Sequence, residues 1–201
     1  MIRLLLVEDQ SLVRGALATL LSLEPDFEVV GEVARGDEVL SQVESLRPDI
    51  VLLDIELPGR NGLEVARELA EHGAPTRVMV LTTFGRPGYL RRAIAAGAAG
   101  FMLKDAPVDA LAAGIRRIAE GGRVVDPGLA AEALKQGTSP LTERETDVLR
   151  VSAAGASIAE MALTLHLAEG TVRNHLSTAI QKLGARNRLE AVLQAERMGW
   201  L

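Results

Sequence analysis

Two patterns of apolar positions alternate through the N-terminal 120 residues. Short aliphatic runs have the length and β-branched content of strands: IRLLLV (2–7), FEVVGEV (27–33), DIVLLD (49–54), RVMVLT (77–82) and GFMLK (100–104). They are apolar almost without interruption, as strands are when both faces of their sheet are covered. Between them apolar residues recur at helical spacing, as in Leu12, Val13, Ala16, Leu17, Leu20 and Leu21, or Val108, Leu111, Ile115 and Ile118. Val39 and Val43, Leu63 and Ala66, and Leu90 and Ala93 mark three further helices. Five strands, each followed by a helix, predict an α/β fold with a five-stranded, doubly wound parallel sheet.

The pattern then changes. Gly121, Gly122, Pro127, Gly128, Gly137 and Pro140 punctuate a segment with room for one short helix over 129–135, which predicts a first domain over 1–122, a linker over 123–139 and a second domain over 140–201. The second domain is all-α. Thr142 with Glu145, and Ser157 with Glu160, are capping boxes in which a hydroxyl N-cap precedes a glutamate by three residues. Four helices are predicted, near 143–154, 158–165, 169–183 and 187–198.

Composition narrows the chemistry. No cysteine is present, which excludes disulfides, thiolate catalysis and cysteine zinc sites. Five aromatic residues among 201 are too few for a protein that stacks rings on sugars or single-stranded bases. The uncharged stretch Ala93 to Leu103 has 11 residues, too short to span a bilayer, and Glu8 and Asp9 interrupt the first apolar run before it reaches the length of a signal peptide. The expectation is a cytoplasmic protein without membrane insertion. Net charge is −5, yet residues 170–189 carry Arg173, Lys182, Arg186 and Arg188 and no acid. Such a stripe on an acidic protein is where a phosphate backbone would lie.

In an open α/β sheet, ligands sit beyond the carboxyl ends of the strands. Here those ends carry Glu8 and Asp9 after the first run, Asp54 at the third, Thr82 at the fourth and Lys104 after the fifth. Clustered carboxylates repel one another unless a cation sits among them, and an oxygen-rich site with open positions suits Mg²⁺. Lys104 is one of three lysines against 19 arginines, a compact point charge where a planar fork is the default of the composition. No Gly-Lys-Ser/Thr phosphate loop, Gly-x-Gly-x-x-Gly turn or His-Glu-x-x-His helix occurs, and His72, His166 and His175 are scattered.

Over residues 2–121 this arrangement resembles the receiver domain of two-component response regulators. The likeness rests on the acidic pair, on Asp54 followed by Ile-Glu-Leu-Pro-Gly-Arg-Asn-Gly, on the hydroxyl residue ending the fourth strand, and on Lys104-Asp105. The resemblance implies a flavodoxin-like sheet in the order 2-1-3-4-5, Asp54 as phospho-accepting nucleophile, and Glu8, Asp9, Asp54 and the main-chain carbonyl of Glu56 as holders of Mg²⁺. It implies also that Lys104 contacts the acyl phosphate, that Thr82 binds a phosphoryl oxygen, and that Phe101 takes the place of the switch aromatic. Phe101 lacks a phenolic hydroxyl, so a switch there rests on packing alone.

In the second domain the predicted third helix places Val172, Leu176, Ile180 and Leu183 on one face and Arg173, Asn174, Ser177 and Gln181 on the other. Arginine suits guanine and asparagine suits adenine in the major groove of double-stranded DNA. Leu141-Thr-Glu-Arg-Glu145, Gly155, Thr171-Val-Arg-Asn-His175, Lys182-Leu-Gly and Gly199-Trp200 resemble the LuxR/NarL-type helix-turn-helix. The helix face points to base contacts at Arg173, Asn174 and Ser177 and, further along, a phosphate near Lys182, and the resemblance implies backbone contacts supported by Thr171 and His175. Two departures stand out: Ala168 where the family usually carries serine, and Ile158 where a polar residue is common.

The two resemblances together identify a NarL/FixJ-type response regulator that is phosphorylated by a sensor histidine kinase, forms a homodimer and regulates transcription. The implied contact surfaces are the first and last helices of the receiver and the helix over 187–198. The stretch Leu81 to Tyr89 is similar to that of DesR-type regulators, which ranks a DesK-type kinase as partner. Two other function classes compete. A Mg-dependent phosphatase with an aspartate nucleophile would place that residue after the first strand in an Asp-x-Asp motif, and turnover of small phosphoesters would identify it. A phosphorylation-independent interaction module leaves the acidic pocket unexplained.

Overall fold

The computed structural model describes residues 1–73, 75–83, 87–135 and 139–201. Two compact units make up the chain, with the main division in sequence after Ala131. The first is a parallel sheet of β1 (Ile2–Val7), β2 (Phe27–Val33), β3 (Ile50–Asp54), β4 (Arg77–Thr82), β5 (Gly100–Leu103) and β6 (Val124–Val125), in the order β2-β1-β3-β4-β5-β6. Five helices join the strands: α1 (Ser11–Leu21), α2 (Val39–Leu46), α3 (Gly62–Glu71), α4 (Pro87–Ala95) and α5 (Val108–Ala119). Alternate strand residues Leu4, Leu6, Leu52, Met79 and Leu81 share one core with Leu21, Ile115 and Ile118 from α1 and α5. Their neighbours Leu5, Val51, Leu53 and Val80 point the other way and are just as buried, which is why the runs show no alternation.

The order reverses at β1, which pairs with β2 on one side and β3 on the other. A crevice opens at such a reversal, beyond the carboxyl ends of the strands. Register fills it: Val7 lies opposite Leu53, so Glu8 and Asp54 leave adjacent strands together, and Thr82 lies opposite Leu103, the residue before Lys104.

A sixth strand joins the five expected. After α5 the chain turns through Gly121, at φ +96°, and Val124 and Val125 align with Gly100 and Phe101. Residues 123–139, expected to be linker, thus contain β6 and α6 (Pro127–Lys135). Of the stretch from Leu81 to Tyr89, the residues Phe84, Gly85 and Arg86 lie outside those described.

The second unit contains α7 (Glu143–Ala153), α8 (Ile158–Leu165), α9 (Glu169–Leu183) and α10 (Arg188–Arg197), close to the predicted bounds. Both capping boxes form: the Thr142 and Ser157 hydroxyls accept from the backbone N–H of Glu145 and Glu160, whose side chains accept in return. Val148, Leu149, Met161, Val172, Leu176, Leu183 and Ala195 make the core. On α9 Val172, Leu176 and Leu183 are buried and Ile180 packs half-buried against the same core, which also takes in Ala179.

Candidate functional site

At the crevice of the sheet, carboxylate oxygens of Glu8, Asp9 and Asp54 lie within 4.8 Å of one another. Glu8 and Asp54 are buried and Asp9 is exposed. Lys104, which follows β5, reaches across the strand ends: its Nζ lies 2.5 Å from Glu8 Oε2 and 3.0 Å from Asp54 Oδ2. The other Asp54 oxygen, Oδ1, accepts from the backbone N–H of Ile55 at 2.7 Å. Burial pushes the Glu8 carboxyl above its ordinary value, and the bond to Lys104 offsets that only in part. Burial works to lower the Lys104 value, but hydrogen bonds to Glu8 and Asp54 outweigh it and hold the ammonium above the ordinary lysine range. Lys104 is therefore charged at neutral pH and faces two buried carboxylates with one positive charge.

The remaining pocket residues are placed as follows. Thr82 is buried at the end of β4, and its carbonyl accepts from the Lys104 N–H at 2.9 Å. Glu56 lies in the turn after Asp54, a turn drawn tight where the Gly62 N–H donates to the Ile55 carbonyl at 2.9 Å. A Cβ on Gly62 would stand 1.9 Å from the Asp54 carbonyl oxygen, so only glycine lets α3 start this close to the end of β3. Phe101 is 1% exposed within β5. A wide cleft lies elsewhere, against Ile2, Arg47, Asp49 and Arg77, and holds none of these groups.

The three acids offer carboxylate oxygens as ligands, with the Lys104 ammonium on the Glu8 and Asp54 side of the cluster, and among the described residues the Asp9 carboxylate makes no hydrogen bond or ion pair. Such a donor set fits a small hard cation, with Glu8, Asp9 and Asp54 as its holders.

In the second unit Thr171, Arg173, Asn174 and Ser177 are exposed on α9, and His175 is half-buried. Arg173 is paired with Glu169, one turn earlier, at 2.9 Å. Ala168 stands at the N-cap of α9 without a side-chain bond, while Ser157 and Thr142 cap the two preceding helices. Lys182 is engaged inward: its Nζ donates to Glu145 Oε2 at 2.8 Å. Charge counting along the sequence does not show this link, because the partners are 37 residues apart and Glu145 looks fully used by its capping box.

A receiver-domain family, "Response regulator receiver domain", matches residues 4–116, and "Bacterial regulatory proteins, luxR family" matches residues 139–195. The chain is 47% identical over 201 residues to the transcriptional regulatory protein YvfU of Bacillus subtilis (strain 168), covering 100% of both. It is 44% identical to the transcriptional regulatory protein DesR of the same organism, covering 100% of this chain and 99% of DesR. Among solved structures it is similar to the response regulator ChrA of a heme-sensing two-component system, with a TM-score of 0.60 and 33% identity over 100% of this chain and 98% of that one.

Proposed function

Because the chain belongs to the two-component response regulators that join a receiver domain to a LuxR-family DNA-binding domain, we propose that it accepts a phosphoryl group on Asp54 from a sensor histidine kinase and in that state pairs on double-stranded DNA. The observation that carries the acceptor assignment is Lys104, whose Nζ bridges Glu8 and Asp54 within the acidic cluster. In this reading an Asp54 oxygen attacks the phosphorus of a phosphohistidine, the O–P bond forming as the N–P bond breaks. A carboxylate is a weak nucleophile, so the rate depends on charge compensation and in-line placement. Mg²⁺, held by Glu8, Asp9, Asp54 and the Glu56 carbonyl, supplies charge compensation when bound. Lys104 supplies the rest from its fixed place, and the Thr82 hydroxyl takes a phosphoryl oxygen. Phe101 then acts as a switch by exchanging between its buried place and the surface.

On α9, Arg173, Asn174 and Ser177 read base edges while Thr171, His175 and Lys182 support backbone contacts. Likeness to DesR along its length supports a DesK-type sensor as the kinase class. The work of such a regulator is in the cytoplasm, and no helix among the described residues is long and apolar enough to cross a membrane. Relatives that are transcriptional regulators favour this reading over the phosphatase.

The test is labelling by acetyl phosphate or a phosphorylated kinase in the presence of Mg²⁺. Asp54→Ala is expected to abolish the label. Unchanged labelling of that variant, or full labelling after Glu8 and Asp9 are both neutralised, overturns the assignment.

A further inference from the structure

Arg14 breaks a local rule. It lies near the start of α1, where the helix dipole favours acids, yet the first turn of α1 holds no acid and Gln10 gives no side-chain cap. A cation there costs helix stability, and departures of this kind concentrate at functional positions. Its guanidinium points back toward the pocket, with a side chain only 20% exposed. Nη1 donates to the Glu8 carbonyl at 2.6 Å and, at 3.4 Å, to the Asp9 carbonyl, while Nε lies 3.4 Å from Glu32 Oε2 on β2. Arg14 thus holds the main chain of both acids without engaging their carboxylates. The rest of the turn is secured by the Glu8 N–H, which donates to Val33, and by the Gln10 N–H, which donates to Glu8 Oε1 at 3.2 Å. Neither bond fixes Asp9.

We propose that Arg14 is a positioning residue for the divalent cation, locking the Glu8–Asp9 turn so that the Asp9 carboxylate stays within reach of Asp54. Glu32 neutralises the guanidinium, so a cation used as a clamp does not repel the one the site must hold. The inference rests on the phospho-acceptor reading of the same pocket. Asp9 is the exposed member of the cluster, and its carboxylate has no partner among the described residues. Its place therefore depends on its backbone, and its backbone on Arg14. Outer partners that orient metal ligands are worth roughly 10- to 100-fold in metal affinity.

The experiment titrates the full-length chain with MgCl₂, without phosphodonor, and follows amide shifts around Asp54. Arg14→Ala is expected to raise the Mg²⁺ Kd about tenfold, the low end of that range for a clamp acting through backbone. Its initial rate of labelling by acetyl phosphate falls by a similar factor at low Mg²⁺ and recovers to near the parent rate at saturating Mg²⁺. Arg14→Lys, which reaches a carbonyl but cannot fork to Glu32 as well, gives an intermediate Kd, and it carries the test if Arg14→Ala does not fold. A Kd unchanged in both variants overturns the proposal, as does a labelling defect that saturating Mg²⁺ leaves in place. Failure of the underlying reading shows differently: the parent chain itself gives no Mg²⁺-dependent shifts around Asp54.

Discussion

The Oε2 atom of Glu145 accepts from the Thr142 N–H at 2.8 Å and from Lys182 Nζ at 2.8 Å, so one oxygen closes the cap of α7 and ties that helix to α9. Burial works to raise the Glu145 value, but the bonds from Lys182 and Thr142 outweigh it and hold the carboxyl below its ordinary range. A group whose folded value is depressed adds stability above its unfolded value and loses it as pH falls through the folded one. Glu145→Gln should therefore cost about 2 kcal/mol at neutral pH, since it weakens the cap and leaves Lys182 without its anion. The difference from the parent should shrink as pH falls below the ordinary glutamate value of about 4.3, and close only once pH has passed through the depressed folded value, where the parent carboxylate is also protonated. Trp200, the sole tryptophan, packs against the core of this unit and serves as the fluorescent reporter in urea. A difference that stays constant between pH 7 and pH 3 would mean that ionisation of Glu145 has no part in it.

At the scale of elements, α9 separates what a sequence displays from what it conceals. Its bounds, its exposed Arg173, Asn174 and Ser177 and its uncapped start at Ala168 are all legible, because helical period and caps are local properties. The first five strands are legible for the same reason, and so is the convergence of Glu8, Asp54 and Lys104, once parallel strands place their ends at one edge. What is not local escapes: β6 has two residues and no period, and neither Arg14 to Glu8 nor Lys182 to Glu145 leaves a spacing signal. The DNA prediction follows this division. Arg173→Ala and Asn174→Ala should each cost about 1 to 3 kcal/mol on a specific duplex and little on a scrambled one. Lys182→Ala should weaken both alike and reduce the salt slope by about one. In the same titrations Ala168→Ser should tighten binding modestly, by restoring a cap worth about 1 kcal/mol, without changing sequence choice. Equal losses on both duplexes for Arg173→Ala and Asn174→Ala would remove base reading from this face.

At the scale of the whole molecule, the proposed phosphorylation of Asp54 must change something that DNA can sense. A single short reading helix covers few base pairs, whereas two linked copies turn the second contact into an intramolecular one, multiplying affinity without any new contact. Among the described residues, apolar side chains are exposed on both units. On the first unit Leu12 and Leu23 are 84% and 75% exposed, and a groove between α1 and α5 is lined by Leu12, Leu17, Val108 and Leu111 beside Lys104. On the second, Leu189 and Leu193 of α10 are 67% and 57% exposed, one turn apart on the same face. Because Lys104 lines the α1–α5 groove and also pairs with Asp54, this groove is the surface expected to respond to the proposed phosphorylation. Light scattering at micromolar concentration should therefore show a monomer that becomes a dimer when a stable phosphoryl mimic is added with Mg²⁺. Leu12→Glu should abolish that shift while leaving Asp54 labelling intact, whereas Leu193→Glu should leave the shift and weaken binding to paired half-sites. A chain that stays monomeric with and without the mimic would end the dimer model. Dimerisation retained in Leu12→Glu and lost in Leu193→Glu would move the responsive surface from the receiver to α10.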